Sequence, residues 1–289
     1  MYETITLPDG RALDIYVSGP EDGMPLVFHH GTPGARLPER AIERAAHARG
    51  LRYVCASRPG YGGSSRRLGR RVVDVVGDTE TVLGAVGASR CVTAGHSGGG
   101  PHALACAAEL EGVLATLLIA GVAPYDLPEL EFTADMGEDN VVEFGRAAEG
   151  EAALRPYLED QRTELVAADA QQMVAAFGSV LPAIDRAAMD DELGAELVAQ
   201  IHEGLRQGVD GWVDDDLAFT QPWGFSLAGV ESPVTLWQGD ADLMVPFAHG
   251  RWLARTLPNV DANLLAGEGH LSIAVGAAER MVDSLLALR

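Results

Sequence analysis

The pentapeptide Gly95-His96-Ser97-Gly98-Gly99 constrains this chain more than any other stretch. It follows the apolar run Cys91-Val92-Thr93-Ala94 and leads into the small-residue segment Gly100 to Ala108, so the order reads as a short strand, a tight turn and a helix. Gly-x-Ser-x-Gly at such a junction sets the serine on a strained turn. The glycines stand where side chains would collide with the adjoining strand and helix. The strain lifts the hydroxyl clear of the sheet, and backbone N–H groups opening the helix face any negative charge that forms beside it. Taken alone, the pentapeptide fits a Gly-rich turn with a solvated serine equally well, so the rest of the chain has to supply the partners of a nucleophile.

A serine hydroxyl is a weak nucleophile near neutral pH and needs a neutral imidazole within hydrogen-bond reach. His270 fits that role. It follows Asp261 to Ala266, which reads as a last strand, and precedes the closing helix Ala277 to Arg289, so it is expected on a loop at the mouth of a parallel sheet. His96, inside the turn, is expected to point away as local packing, and His102 reads as structural. His29 and His30 belong to another motif, while His47, His202 and His249 carry no signal. A carboxylate must hold the imidazole tautomer and stabilise its charge. The strand pattern Pro233 to Gln238 runs into Gly239-Asp240-Ala241-Asp242, which offers two candidates at a strand's C-terminal end, with Asp126 a third. Glu268, two residues from His270, is too close in sequence to be expected to face its ring and is left with a supporting role beside it as the alternative. For the oxyanion, the run Leu26-Val27-Phe28-His29-His30 enters the turn Gly31-Thr32-Pro33-Gly34, which exposes backbone N–H groups. The backbone N–H groups of Thr32 and Gly98 are the expected donors, each worth ~3 kcal/mol in the barrier.

Together these residues give the chain a family likeness. It resembles an α/β-hydrolase of the large esterase, peptidase and dehalogenase-like superfamily. The matching pieces are His30-Gly31-Thr32-Pro33-Gly34, Ser57-Arg58-Pro59-Gly60-Tyr61-Gly62-Gly63-Ser64, the Ser97 turn, the Asp242 turn and His270, in the order Ser, Asp, His. The resemblance implies Asp242 as the acid, from Gly-x-x-Asp before Val245-Pro246, and leaves Asp240 as a turn former. Ser57 replaces the aspartate many relatives carry before Arg-Pro-Gly, a change expected to touch loop anchoring rather than chemistry.

The strand and helix patterns agree. Strands are expected at Thr4 to Leu7, Leu13 to Val17, Pro25 to His30, Arg52 to Ser57, Cys91 to Gly95, Thr116 to Gly121, Val234 to Gln238 and Asn263 to Ala266. Helices at Leu37 to Arg49, Arg71 to Val86, Pro101 to Leu110, Ala248 to Thr256 and Gly276 to Leu288 alternate with them. This predicts a mostly parallel central sheet with helices on both faces, the α/β-hydrolase fold, with ligands at the carboxyl ends of the strands. The core is expected in residues 1–125 and 221–289. Residues 126–220 carry only helical patterns, at Val141 to Ala148, Ala152 to Asp169, Ala170 to Phe177 and Ala187 to Gly208, and are expected to form the helical cap that the resembling family inserts there. This segment holds 23 acidic and 5 basic residues, most of the excess behind the net charge of −21. It reads either as a cap that favours neutral and cationic substrates or as a solvated surface. Asp214-Asp215-Asp216 lacks calcium-loop spacing and is expected at a helix start or solvated turn. Trp212 and Phe219 are candidates for an apolar acyl pocket, Trp223 for packing between cap and core.

The function expected is a serine hydrolase that cleaves a small or medium carboxylic ester through Ser97, His270 and Asp242. The alternatives are an amidase resembling proline iminopeptidases and a non-catalytic ligand-binding member of the fold. Against the former, this chain has Gly31-Thr32-Pro33-Gly34 and Ser57-Arg58-Pro59-Gly60 where those enzymes show Gly-Gly-Pro-Gly and Asp-Gln-Arg-Gly. Dehalogenases and epoxide hydrolases need a carboxylate where Ser97 stands. No cofactor or metal is expected, and the partner is a small-molecule substrate. The chain has no lysine among its 21 basic residues and no basic face for nucleic acid. Met1-Tyr2-Glu3-Thr4-Ile5 begins no leader pattern and no apolar run suits a membrane span. Cys55, Cys91 and Cys106 suit reduced thiols of a cytoplasmic protein.

Overall fold

The computed structural model describes all residues, 1–289. Eight strands form one sheet: β1 (Tyr2–Thr6), β2 (Ala12–Ser18), β3 (Met24–His29), β4 (Leu51–Ala56), β5 (Cys91–His96), β6 (Val113–Ile119), β7 (Val234–Gly239) and β8 (Val260–Leu265). Their spatial order is β1-β2-β4-β3-β5-β6-β7-β8, antiparallel from β1 to β4 and parallel from β4 to β8. Every expected strand is present, shifted by one to three residues. The central strands are covered on both faces, which is why β5 is buried at all six positions and reads as a continuous apolar run rather than an alternation.

Helices α1 (Arg40–Ala48), α2 (Val75–Ala85) and α3 (Gly100–Glu109) connect the first half, and α10 (Phe247–Thr256), α11 (His270–Gly276) and α12 (Ala278–Ala287) the second. One face of the sheet packs Ile42 and Ala45 of α1 with Met281, Val282 and Leu285 of α12. The other packs Leu104 and Ala105 of α3 with Trp252 and Leu253 of α10. The closing helix expected from Gly276 is α12, but a separate helix, α11, precedes it, so His270 is the first residue of a helix rather than part of a free loop.

Between β6 and β7 the chain is helical: α4 (Glu138–Glu149), α5 (Glu151–Leu165), α6 (Ala170–Ala176), α7 (Ala183–Ala188), α8 (Asp191–Gly204) and α9 (Asp210–Phe219). These helices have their own core, in which Leu154, Leu158, Met173, Ile201, Leu205 and Val213 pack together. The expectation for Asp214-Asp215-Asp216 is overturned. The three aspartates lie inside α9 and are 3%, 0% and 1% exposed. Neighbouring helical side chains diverge by about 100°, and each aspartate meets a different environment, described below.

The strand order reverses between β3 and β5. In such sheets the crevice for a ligand opens at that switch point, at the strands' carboxyl ends. His29 of β3 lies opposite Gly95 of β5, so the turn after each strand delivers Thr32 and Ser97 to the same place.

Candidate active site

Ser97 has a left-handed backbone, φ 55°, at the step from β5 to α3. A Cβ on Gly95 would overlap the Gly99 carbonyl oxygen, and one on Gly99 would overlap that of His29, so both flanking glycines are required. Ser97 itself remains half-buried and borders a cavity that also touches His270.

His270 is 2% exposed, and its Nδ1 lies 2.7 Å from Oδ2 of Asp242, which fixes the ring and leaves Nε2 free. Asp242 is held in turn. Its Oδ1 accepts the Met244 and Val245 N–H groups at 2.8 and 2.9 Å, and its Oδ2 accepts from Gln238 Nε2 at 3.0 Å. Asp240 instead accepts the Gly267 N–H at 2.7 Å, a turn-forming contact, and Asp126 is exposed.

Thr32 and Gly98 are adjacent: a Cβ on Gly98 would strike the Thr32 side chain. The Thr32 N–H is engaged by no acceptor within the protein. Its hydroxyl donates to Asp215 Oδ2 at 2.7 Å and accepts from Arg58 Nη2 at 3.0 Å. Asp215 is a buried hub. It pairs with Arg58 and Arg70, each at 2.7 Å, and accepts the Tyr61 hydroxyl at 2.9 Å. Burial opposes its ionisation, but Arg58 and Arg70 outweigh that and hold Asp215 well below the usual carboxylate range. Arg58 also donates to the carbonyl oxygens of His30 and Gly31, so the charge cluster locks the turn carrying Thr32. Asp214 pairs with Arg66 at 2.7 Å, on the other side of α9.

Two site residues escaped the sequence reading. His96 does not point away: its ring stacks on His270, centroids 4.8 Å apart, and its Nδ1 lies 2.8 Å from Glu39. Burial opposes a charge on His96, yet Glu39 and then Asp242 outweigh it and raise the imidazole above its ordinary value. The second is Asp185 of α7, fully buried. Its carboxylate accepts the N–H groups of His270, Leu271 and Ser272 at 2.8, 3.0 and 2.8 Å, capping α11 at the residue that carries the imidazole. A negative charge at a helix N-terminus is favoured by both the free N–H groups and the helix dipole. No motif in the sequence marks Asp185.

Of the aromatic candidates, Trp212 and Phe219 line a second cavity bordered by Ser97 and Gly98, whereas Trp223 packs in the core. Ser57 is buried and its Oγ accepts the Arg36 N–H at 2.9 Å, an anchoring contact. No group of three or more histidine, cysteine, aspartate or glutamate side chains is arranged to hold a metal ion, and no helix is long and apolar enough to cross a membrane.

The family model described as "alpha/beta hydrolase fold" matches residues 24–277, and the chain belongs to that family. No curated protein matches it. Many solved structures share the fold. An alpha/beta hydrolase fold protein from Nakamurella multipartita is 22% identical over 99% of both chains, with a TM-score of 0.66. A thermophilic esterase from Thermogutta terrifontis is 20% identical, covering 100% of this chain and 97% of that one, TM-score 0.69. An epoxide hydrolase from Vigna radiata is 16% identical, covering 99% and 98%, TM-score 0.69. The similar structures thus include different reactions, and what they share with this chain is the fold. Membership of that family supports a hydrolase activity.

Proposed function

We propose that this protein is a serine hydrolase that cleaves small or medium carboxylic esters. The observation that carries the reading is the His270–Asp242 pair at 2.7 Å, with the other imidazole nitrogen free and Ser97 on the same cavity. His270 takes the Ser97 proton as Oγ attacks the carbonyl. Asp242 orients the ring and stabilises the imidazolium. The Thr32 and Gly98 N–H groups hold the developing oxyanion. His270 then protonates the departing alcohol, and in the second half it activates water to release the acid and restore Ser97. Residues 126–220 act as a cap over the core of 1–125 and 221–289. This is supported by the way α4, α5, α8 and α9 line the two cavities at Ser97. Ser97, a hydroxyl, disfavours the epoxide-hydrolase and dehalogenase chemistries, which need a carboxylate there.

A fluorophosphonate reagent should label Ser97 and a panel of p-nitrophenyl esters should be hydrolysed. Ser97→Ala and His270→Ala should each lower kcat by several orders of magnitude, and the double variant should be little worse, because the residues act as a unit. Asp242→Asn should cost about 10⁴-fold, Asp240→Asn far less. Full activity in Ser97→Ala sinks the mechanism, and an unlabelled Ser97 favours a ligand-binding role.

A further inference from the structure

Two cavities meet at Ser97 and Thr32. One, of about 150 Å³, reaches His270. The other, of about 100 Å³, runs from Gly98 in among α4, α5 and α9. On the reaction proposed above, His270 hands a proton to the departing group, so the leaving group belongs in the cavity that touches His270. The acyl chain then occupies the second.

The wall of that acyl cavity carries three carboxyl groups, Asp139 and Glu143 of α4 and Asp216 of α9. Asp216 is 1% exposed, its carboxyl is in hydrogen-bond contact with that of Glu143, and no N–H group or hydroxyl of the protein reaches either of its oxygens. Glu143 is half-buried and takes one hydrogen bond, from Trp212 Nε1 at 2.9 Å. Other acids nearby are already matched: Asp215 by Arg58 and Arg70, Asp214 by Arg66, and Asp139 by the Ser179 hydroxyl at 2.8 Å. The buried group formed by Arg58, Arg70, Asp215, Asp216 and Glu143 therefore holds two positive and three negative charges. An unpaired buried carboxylate is costly, and these two repel each other. A proton shared by the pair restores the balance: burial and then the Glu143 charge push Asp216 well above the carboxylate range, and burial raises Glu143 to about 7. An ammonium group restores the balance equally well, and it brings up to three N–H donors to a pair that receives only the Trp212 N–H. The aromatic rings of Tyr157, Trp212 and Phe219 line the same space and favour a cation further.

We propose that the Glu143–Asp216 pair is an ammonium-binding subsite at the end of the acyl cavity, so that the ester cleaved at Ser97 carries an amine on its acyl part. The cavity selects such acyl groups by supplying the cation's counter-charge where a plain alkyl chain would leave it unmet. The assignment of this cavity to the acyl side rests on the serine-hydrolase reading; the amine subsite itself does not.

The test is a series of methyl esters with amines at increasing reach, those of glycine, β-alanine and 6-aminohexanoate. Each is compared with its alkanoate match, acetate, propanoate or hexanoate. At least one amine-bearing ester should exceed its match in kcat/KM by about tenfold or more. In Asp216→Asn and Glu143→Gln that ratio should fall to about one, whatever becomes of the rate itself. In parallel, calorimetric titration of the native protein with n-butylammonium chloride should show binding, with n-butanol showing none. If alkanoate esters are hydrolysed as well as their amine counterparts, the subsite is overturned while the serine hydrolase stands. If no ester is cleaved but n-butylammonium binds and Asp216→Asn abolishes it, the subsite stands and the hydrolase reading falls. An absence of both selectivity and ammonium binding leaves the pair a protonated structural contact and refutes the proposal.

Discussion

At Ser97 a non-glycine residue is held at φ 55°, a conformation with a steric cost that the surrounding contacts must impose. The space for it comes from Gly95 and Gly99, and Gly99→Ala should abolish soluble folded protein because its Cβ would meet the His29 carbonyl. Gly84→Ala, in α2 with open space around it, should instead raise stability by roughly 0.5–1 kcal/mol. Urea denaturation and soluble yield check both. Asp215 is the other single residue on which the site depends. It is the only carboxylate shared by the buried Arg58 and Arg70, and it also fixes the Thr32 hydroxyl. Removing one partner of a buried ion cluster strands the others, so Asp215→Asn should destabilise the fold by about 3–5 kcal/mol, read as a fall in the urea midpoint. Loss of esterase activity should accompany it even at urea concentrations where the variant stays folded. A variant with native stability would show that the arginines find other partners.

Among the elements, α7 has an influence out of proportion to its length. Its Asp185 takes the three N–H groups that open α11, so the helix carrying His270 is anchored to the helical insert rather than to the sheet alone. Asp185→Asn keeps the shape but removes the charge and turns one acceptor into a donor facing backbone N–H groups. Losing charge-assisted bonds in a buried place costs roughly 1–3 kcal/mol, enough to lower Tm by several degrees. If Asp185 positions the base, kcat for a short ester and the rate of fluorophosphonate labelling should fall together while KM changes little. A fall in Tm with unchanged kcat would make the contact purely structural. Helix α9 shows the same economy of position: three consecutive aspartates turn to Arg66, to the Arg58–Arg70 cluster and to the cavity beside Ser97.

Over the whole molecule the balance is 42 acidic residues against 21 arginines, with 23 acidic residues between 126 and 220. The cavity reaching His270 is bordered by Glu39, Asp190, Glu192 and Glu196, against Arg44, which is itself paired with Glu192 at 2.5 Å. A cationic ester approaching this mouth should be drawn in by long-range attraction, which salt screens with a Debye length of about 10 Å near 0.1 M. At low salt kcat/KM should therefore be higher for cationic than for matched anionic esters, the gap should close as salt rises, and neutral esters should show almost no trend. Identical salt curves for the two charged series would rule out steering. Selection by the Glu143–Asp216 pair differs from this, since a buried contact should persist at high salt.

What the sequence by itself determined was local. Hydrophobic runs marked the central strands, and short strand-like stretches marked the edge strands β1 and β8 to within three residues; the spacing Gly95-His96-Ser97-Gly98-Gly99 marked the turn, because a left-handed serine between strand and helix leaves glycine as the residue that fits on either side. The order of elements followed, and with it the place of Thr32, Ser97, Asp242 and His270 at the strand ends. The choice of Asp242 over Asp240 came from family likeness, and the contact with His270 agrees with it. What only the tertiary structure decided were pairings between distant segments. Thr32 and Asp215 are 183 residues apart in sequence, and His270 and Asp185 are 85 apart. An aspartate's fate depends on which arginine, helix end or cavity the packing sets against it. Three adjacent aspartates look alike in a sequence and read as solvated. Inside α9 the helical rotation separates them into a surface-side ion pair, a buried hub and an unmatched acceptor, because burial turns each charge into a demand for a particular partner.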